Sequence, residues 1–205
     1  RYPRRVASEY ERMARYIHET VTVKTGNYLV FAPSYQVMEQ VADRCVAYED
    51  MECIRQESGM AEEEREAFLK EFEKERNHSL VGFCVMGGIF SEGIDLTEDR
   101  LIGALIIGTG LPQACRKREI VKEYFDKKGM DGFAYAYQYP GMNKVMQAAG
   151  RVIRTVNDKG VIALLDDRFL LPEYVALFPR EWERYTVVNR FNVKQAVDDF
   201  WGQFV

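Results

Sequence analysis

Histidine is almost absent from this sequence. Only His18 and His78 occur among 205 residues, both in stretches expected to be surface helix or loop. A Ser–His–Asp site or a histidine-based metal centre therefore has nothing to build on. Cysteine is sparse too: the four, at 45, 53, 84 and 115, form no CxxC pair. That argues against a metal site and suits ordinary buried thiols in the reducing cytoplasm. No GxxxxGK[ST] loop occurs anywhere, so the chain cannot cradle a triphosphate in the P-loop manner. No paired-acid magnesium motif follows an expected strand either. The longest uncharged stretch, residues 101–115, is too short and too rich in Gly and Pro to cross a membrane. Signal peptide, internal repeat, low-complexity tract and dividing linker are all missing, so a single domain over residues 1–205 is expected. The first residue is Arg rather than Met, which suggests a piece of a longer protein.

What is present is the composition of a globular domain, 47% hydrophobic and 29% charged, with material for one sizeable core. The net charge of −4 argues at first against a nucleic-acid partner, but the charge is unevenly placed. Residues 57–76 hold eight Glu against four Lys/Arg, whereas residues 110–154 hold nine Lys/Arg against four acids. A phosphate-bearing partner is permitted by the second region, not required by it.

Hydrophobic spacing predicts helices over 8–24 and 35–50, with the strand NYLVFA (27–32) between them and a brief strand near 52–55. MAEEEREAFLKEFEKE (60–75) reads as a helix with Phe68, Leu69 and Phe72 inward and acids in its first turn. SLVGFCVM is strand-like, and GGIFSEGID (87–95) is a glycine-punctuated bend. LIGALIIGT is a continuous apolar run, as in a parallel-sheet strand buried on both faces. Helices near 113–128 and 140–154 precede the strand GVIALLD, expected to be buried, and a last helix is expected from about 193. Strands alternating with helices indicate an α/β fold with an open parallel sheet, in which ligands bind at the carboxyl ends of the strands.

Four clusters follow expected strands or adjoin them. In FAPSYQ, Ser34 and Tyr35 open a helix, where a hydroxyl and backbone amides suit either a phosphate or a simple helix cap. In GGIFSEGID, three glycines let the backbone approach a ligand, and Ser91, Glu92 and Asp95 offer polar groups; an ordinary glycine turn is the alternative. Two acids there suit ribose hydroxyls or the orientation of an arginine. GTGLPQACRKR lacks the third glycine of a dinucleotide fingerprint. Its Arg116, Lys117 and Arg118 are either a solvated run or contacts to a nucleic-acid backbone. The fourth cluster is QAAGRVIR. On a continuous helix Gln147, Arg151 and Arg154 fall within about 60° of one another, beside Gly150. Val145, Ala149, Val152 and Ile153 turn the other way. A solvated face is the plain reading, but Gln and Gly beside paired guanidiniums suit holding a polyanion close to the backbone. Arginines aimed at phosphate without a phosphate cradle look like half of a site.

GNYLVFAPSY, GGIFSEGIDL and QAAGRVIRTVNDKGVIALLDDR, in this order and spacing, resemble motifs four, five and six of superfamily-two helicases. More closely, with PGMNKVMQAAGRVIR and GMAEEEREAFLKEFE, the chain resembles bacterial members of the XPD/DinG branch over roughly residues 1 to 190. The resemblance implies a second RecA-like motor domain without its own P-loop. Its partner, the first RecA-like domain, would hold ATP and Mg2+ and, in many relatives, an iron–sulfur cluster outside this chain. Carried over by motif, Arg154 would be the arginine finger on the γ-phosphate, with Arg151 and Gln147 beside it. Gly93, Asp95, Glu92 and Gly150 would serve nucleotide binding and its coupling to DNA. Ser34, Tyr35, Ser91, Arg116, Lys117 and Arg118 would lie along single-stranded DNA, travelled 5′ to 3′. Gln113 departs from the Phe that many relatives carry after LP, and Ala61 from a common capping Ser. A different class also fits, a nucleic-acid or protein interaction module that has lost motor function, but intact Gln147, Gly150, Arg151 and Arg154 argue against decay. A Rossmann-type enzyme fails for want of the glycine fingerprint.

Overall fold

The computed structural model describes residues 7–92, 101–153 and 158–204, with the side chains of 91 and 92 left out. The first described element is helix α1 (Ala7–Val21), followed by β1 (Asn27–Ala32), α2 (Tyr35–Cys45) and β2 (Met51–Arg55). Helix α3 (Glu62–Glu71), β3 (Ser79–Val85) and a short α4 (Ile89–Glu92) follow, then β4 (Gly103–Ile107) and α5 (Arg116–Lys127). A π-helical turn (Ala134–Gln138) runs directly into α6 (Tyr139–Ala149). The chain ends with β5 (Val161–Leu165), a short α7 (Pro172–Val175) and α8 (Val193–Gly202).

Among the described residues all four strand pairings are parallel, and the order is β2-β3-β1-β4-β5. The expected open, RecA-like parallel sheet flanked by helices is therefore what forms. Its middle strand is β1, whose last five residues are all buried. Alternate side chains then feed two cores. Leu29 and Phe31 pack toward Phe68, Phe72 and Met142, while Tyr28 and Val30 pack toward Ile17, Met38 and Trp201. Glycines in the strands make room for these rings. A Cβ on Gly82 of β3 would stand 2.6 Å from Phe72 Cζ, and one on Gly103 of β4 would collide with the Tyr28 ring.

The structure departs from the sequence reading in four places. Residues 89–92 are a helical turn rather than part of a bend. β5 lies at the sheet edge, so all five of its residues are only half-buried. Of the cysteines, Cys45 and Cys84 are buried, but Cys53 is half-buried and Cys115 exposed. Finally, the helix expected over 140–154 begins and ends earlier. Pro140 has no N–H to give the Ala136 carbonyl four residues back, and the helix there carries the π-turn. At the other end Gly150 caps it, so Arg151 and Val152 lie in a turn rather than on the helix.

Candidate nucleotide and nucleic-acid interface

Neighbouring strands bring the second half of FAPSYQ and the start of GGIFSEGID together. Ala32 of β1 is level with Val85 of β3, and the Met86 N–H donates to the Ala32 carbonyl at 2.8 Å. Ser34 is the N-cap of α2 and accepts from the Val37 N–H at 3.3 Å. The capping role is thus realised, and it aims the first turn of α2. Arg55 holds the same helix from below, with one guanidinium nitrogen on Glu39 at 2.8 Å and on Asp43 at 2.7 Å. Tyr35 is half-buried, its hydroxyl 3.0 Å from the carboxamide nitrogen of Gln56.

Gln56 and Lys144 belong to this edge, and the sequence reading singled out neither. Gln56 follows β2 and is only 3% exposed. Lys144 of α6 lies across Gly87, whose φ is +74°; a Cβ there would stand 3.1 Å from Lys144 Cε. A strand followed directly by Gln was a faint signal for the first. For the second there was none, although only three residues, nearly one helical turn, separate Lys144 from the noted Gln147.

At the end of β4 the GTG segment turns with Gly108 and Gly110 at φ of +81° and +65°. The backbone of Gly110 then packs on that of Gly141, where a Cβ at 110 would stand 2.6 Å from the Gly141 carbonyl oxygen. This seats the start of α6 at the carboxyl edge. The three cations of RKR have unequal surroundings. Arg116 and Lys117 are exposed, but Arg118 is half-buried and donates to the Ala136 carbonyl at 2.9 Å. Tyr137 also ties the π-turn to α5, donating its hydroxyl to Glu119. Facing that carboxylate raises the phenol's pKa to about 12.

Gln147 and Gly150 are exposed at the far end of α6, with Arg151 half-buried in the turn beyond. Ten residues of helix and turn separate Arg151 from Gly141, a rise of about 15 Å if fully helical. Val152 packs on Gly160, just before β5, and Gly160 in turn meets Ile102 before β4. The arginine end therefore lies toward the amino ends of the strands, away from Ser34, Tyr35 and the RKR run. The clusters do not converge on one point: two surfaces are joined by α6. Arg154, Gly93 and Asp95 lie outside the described residues, as do the side chains of Ser91 and Glu92. Among the described residues no three His, Cys, Asp or Glu group as a metal site, and no helix is long and apolar enough to cross a membrane.

The sequence model of the helicase C-terminal domain matches residues 17–185. The regulator of telomere elongation helicase 1 of Mus spretus is 28% identical over 189 residues, 83% of this chain and 16% of that protein. The ATP-dependent DNA helicase XPD of Sulfolobus acidocaldarius is 29% identical over 173 residues, 82% of this chain and 30% of that one. This chain thus spans less than a third of either relative. A solved apo XPD superposes with a TM-score of 0.70 at 24% identity, covering 86% of this chain and 35% of the other. The C-terminal domain of the DEAD-box protein Dbp5 shares the fold, with a TM-score of 0.52 at 10% identity over 95% of this chain and 92% of its own.

Proposed function

From the chain's membership of the helicase C-terminal domain family, in its XPD/DinG branch, we propose that it is the second motor domain of an ATP-dependent DNA helicase. Gln147, Gly150 and Arg151 form the nucleotide-facing surface, with Arg154 as the finger on the γ-phosphate and Arg151 and Gln147 supporting it. Glu92, Gly93 and Asp95 relay the nucleotide state toward the DNA. Ser34, Tyr35, Ser91, Arg116 and Lys117 lie along a single strand, travelled 5′ to 3′, and Arg118 supports that surface. The first RecA-like domain supplies the phosphate cradle and holds ATP with Mg2+; any iron–sulfur cluster belongs there.

One observation carries this reading. Exposed Gln and Gly stand beside Arg151 at one end of α6, in a chain with no cradle of its own. Such a surface suits a second domain that presents a polyphosphate. A guanidinium acting across that cleft stabilises charge developing on the γ-oxygens. Hydrolysis then alters how tightly the arginines hold the opposite domain, and that differential contact moves the two domains.

The purified 205-residue chain should therefore show no DNA-stimulated ATP hydrolysis, while binding single-stranded DNA weakly and with steep salt dependence. Turnover by this chain alone would refute the half-site arrangement. Affinity insensitive to salt would refute the placement of the strand on its cations.

A further inference from the structure

The Gln56 carboxamide joins the two motifs at the carboxyl edge. Its Oε1 accepts from the Val85 N–H at 3.0 Å, and its Nε2 stands 3.0 Å from the Tyr35 hydroxyl. Its own N–H donates to the Phe83 carbonyl at 2.8 Å, which extends the β2–β3 ladder by one residue and fixes where the side chain starts. The orientation of the amide is set by chemistry. A backbone N–H can only donate, so the atom facing Val85 is the oxygen and the one facing Tyr35 is the NH2.

That polarity has a consequence for Tyr35. The amide donates to the phenolic oxygen, so the phenol's own proton is turned away from Gln56. Among the described residues, Tyr35 donates it to no other group. An O–H turned from Gln56 at the start of α2 suits an acceptor-only partner, and a phosphodiester oxygen is one.

We propose that Gln56 is a positioning residue for the single-stranded nucleic acid. It holds the Tyr35 hydroxyl as a donor to a backbone phosphate oxygen and anchors that contact to the Val85–Gly88 turn, where GGIFSEGID begins. The proposal rests on the reading of Tyr35 as a contact to the strand. Because Val85 and Tyr35 share one buried amide, a shift of the glycine-rich turn is felt at the hydroxyl.

The test measures binding of a fluorescein-labelled oligothymidylate to the chain at low salt by anisotropy, with urea midpoints as the folding control. Tyr35→Phe and Gln56→Met should each weaken binding by about three- to tenfold, the range of one hydrogen bond. The double variant should bind no worse than the weaker single. Gln56→Glu keeps an acceptor for Val85 but draws the phenol proton inward, so it should weaken binding when Tyr35 is present. In the Tyr35→Phe background the same change should shift affinity by less than about twofold. Gln56→Glu also reads the relationship if Gln56→Met fails to fold. Additive losses, or a Gln56→Glu effect that persists without the hydroxyl, overturn the proposal. No binding by the unaltered chain, or unchanged binding by Tyr35→Ala, would instead refute the reading of Tyr35 itself.

Discussion

Arg118 donates to the carbonyl of Ala136 at 2.9 Å, the acceptor that Pro140 cannot serve. One cation of the RKR run thereby closes the helix defect that leads into α6. The other two, Arg116 and Lys117, remain on the surface.

Their substitutions should separate accordingly. Arg118→Ala should cost about 1–2 kcal/mol of stability, because the carbonyl of the buried Ala136 loses a charged donor. Arg116→Ala and Lys117→Ala should each stay within about 0.5 kcal/mol. The paired surface change should instead lower the salt dependence of single-strand binding by about two phosphate contacts. Urea unfolding and salt-titrated anisotropy measure the two effects. Equal stability losses at all three positions would contradict the division.

Arg154 is tested best in a protein that joins this chain to a phosphate-cradle domain. Arg154→Ala should reduce ATP turnover by about 10³-fold or more and leave nucleotide affinity within about tenfold. A finger acts on charge that develops in the transition state, whereas the cradle gives most of the ground-state grip. Arg154→Lys should rescue little, since an ammonium does not reproduce the planar fork. Near-normal turnover in a folded variant would make Arg154 a surface residue.

Gly82 should be intolerant of even one methyl group. Alanine there would place its Cβ 2.6 Å from Phe72 Cζ and 3.0 Å from a methyl of Leu29, in the central core. A loss of about 1–3 kcal/mol is expected. Adding Phe72→Leu to Gly82→Ala should recover part of it by vacating the ring's space. Chemical denaturation of the single and double variants checks both statements; a neutral Gly82→Ala would mean that the rings relax freely.

Acid should weaken the chain partly through Arg76. This guanidinium, with its side chain 10% exposed, pairs with Glu52 at 2.9 Å and Glu71 at 2.7 Å. Hydrogen bonding to Arg76, with His78 assisting, lowers the Glu52 pKa; Lys74 and then Arg76 lower that of Glu71. A carboxyl depressed on folding stabilises the protein above its unfolded pKa, about 4.3 for Glu. That contribution disappears as pH falls through the lower, folded value. Arg76→Met should therefore destabilise the chain at neutral pH and flatten the loss of stability below about pH 4. Urea midpoints across pH decide it: parallel curves for the two proteins would refute the linkage.

The amino-acid sequence by itself determined the order of elements and the parallel α/β class. β1 falls on NYLVFA as expected, α8 starts at Val193, and Phe68 of α3 and Phe72 at its C-cap turn inward. These features are local. Burial imposes a period of two or 3.6 on neighbouring residues, and a period is visible in a string of letters. Ser34 as a cap was legible for the same reason, since its acceptor role reaches only three residues ahead.

Tertiary structure alone decided the rest. Gln56 meets Tyr35 across 21 residues and Val85 across 29, and Arg118 meets Ala136 across 18. No periodicity encodes such pairings, because they follow from how elements distant in the chain pack together. The helical placement of Arg151 was misjudged for a related reason. A helical projection assumes that the helix continues, but the caps at Gly150 end it before Arg151. Where a helix stops depends on whether its end has a core to pack on, and Val152 finds one against Gly160 only in the assembled fold.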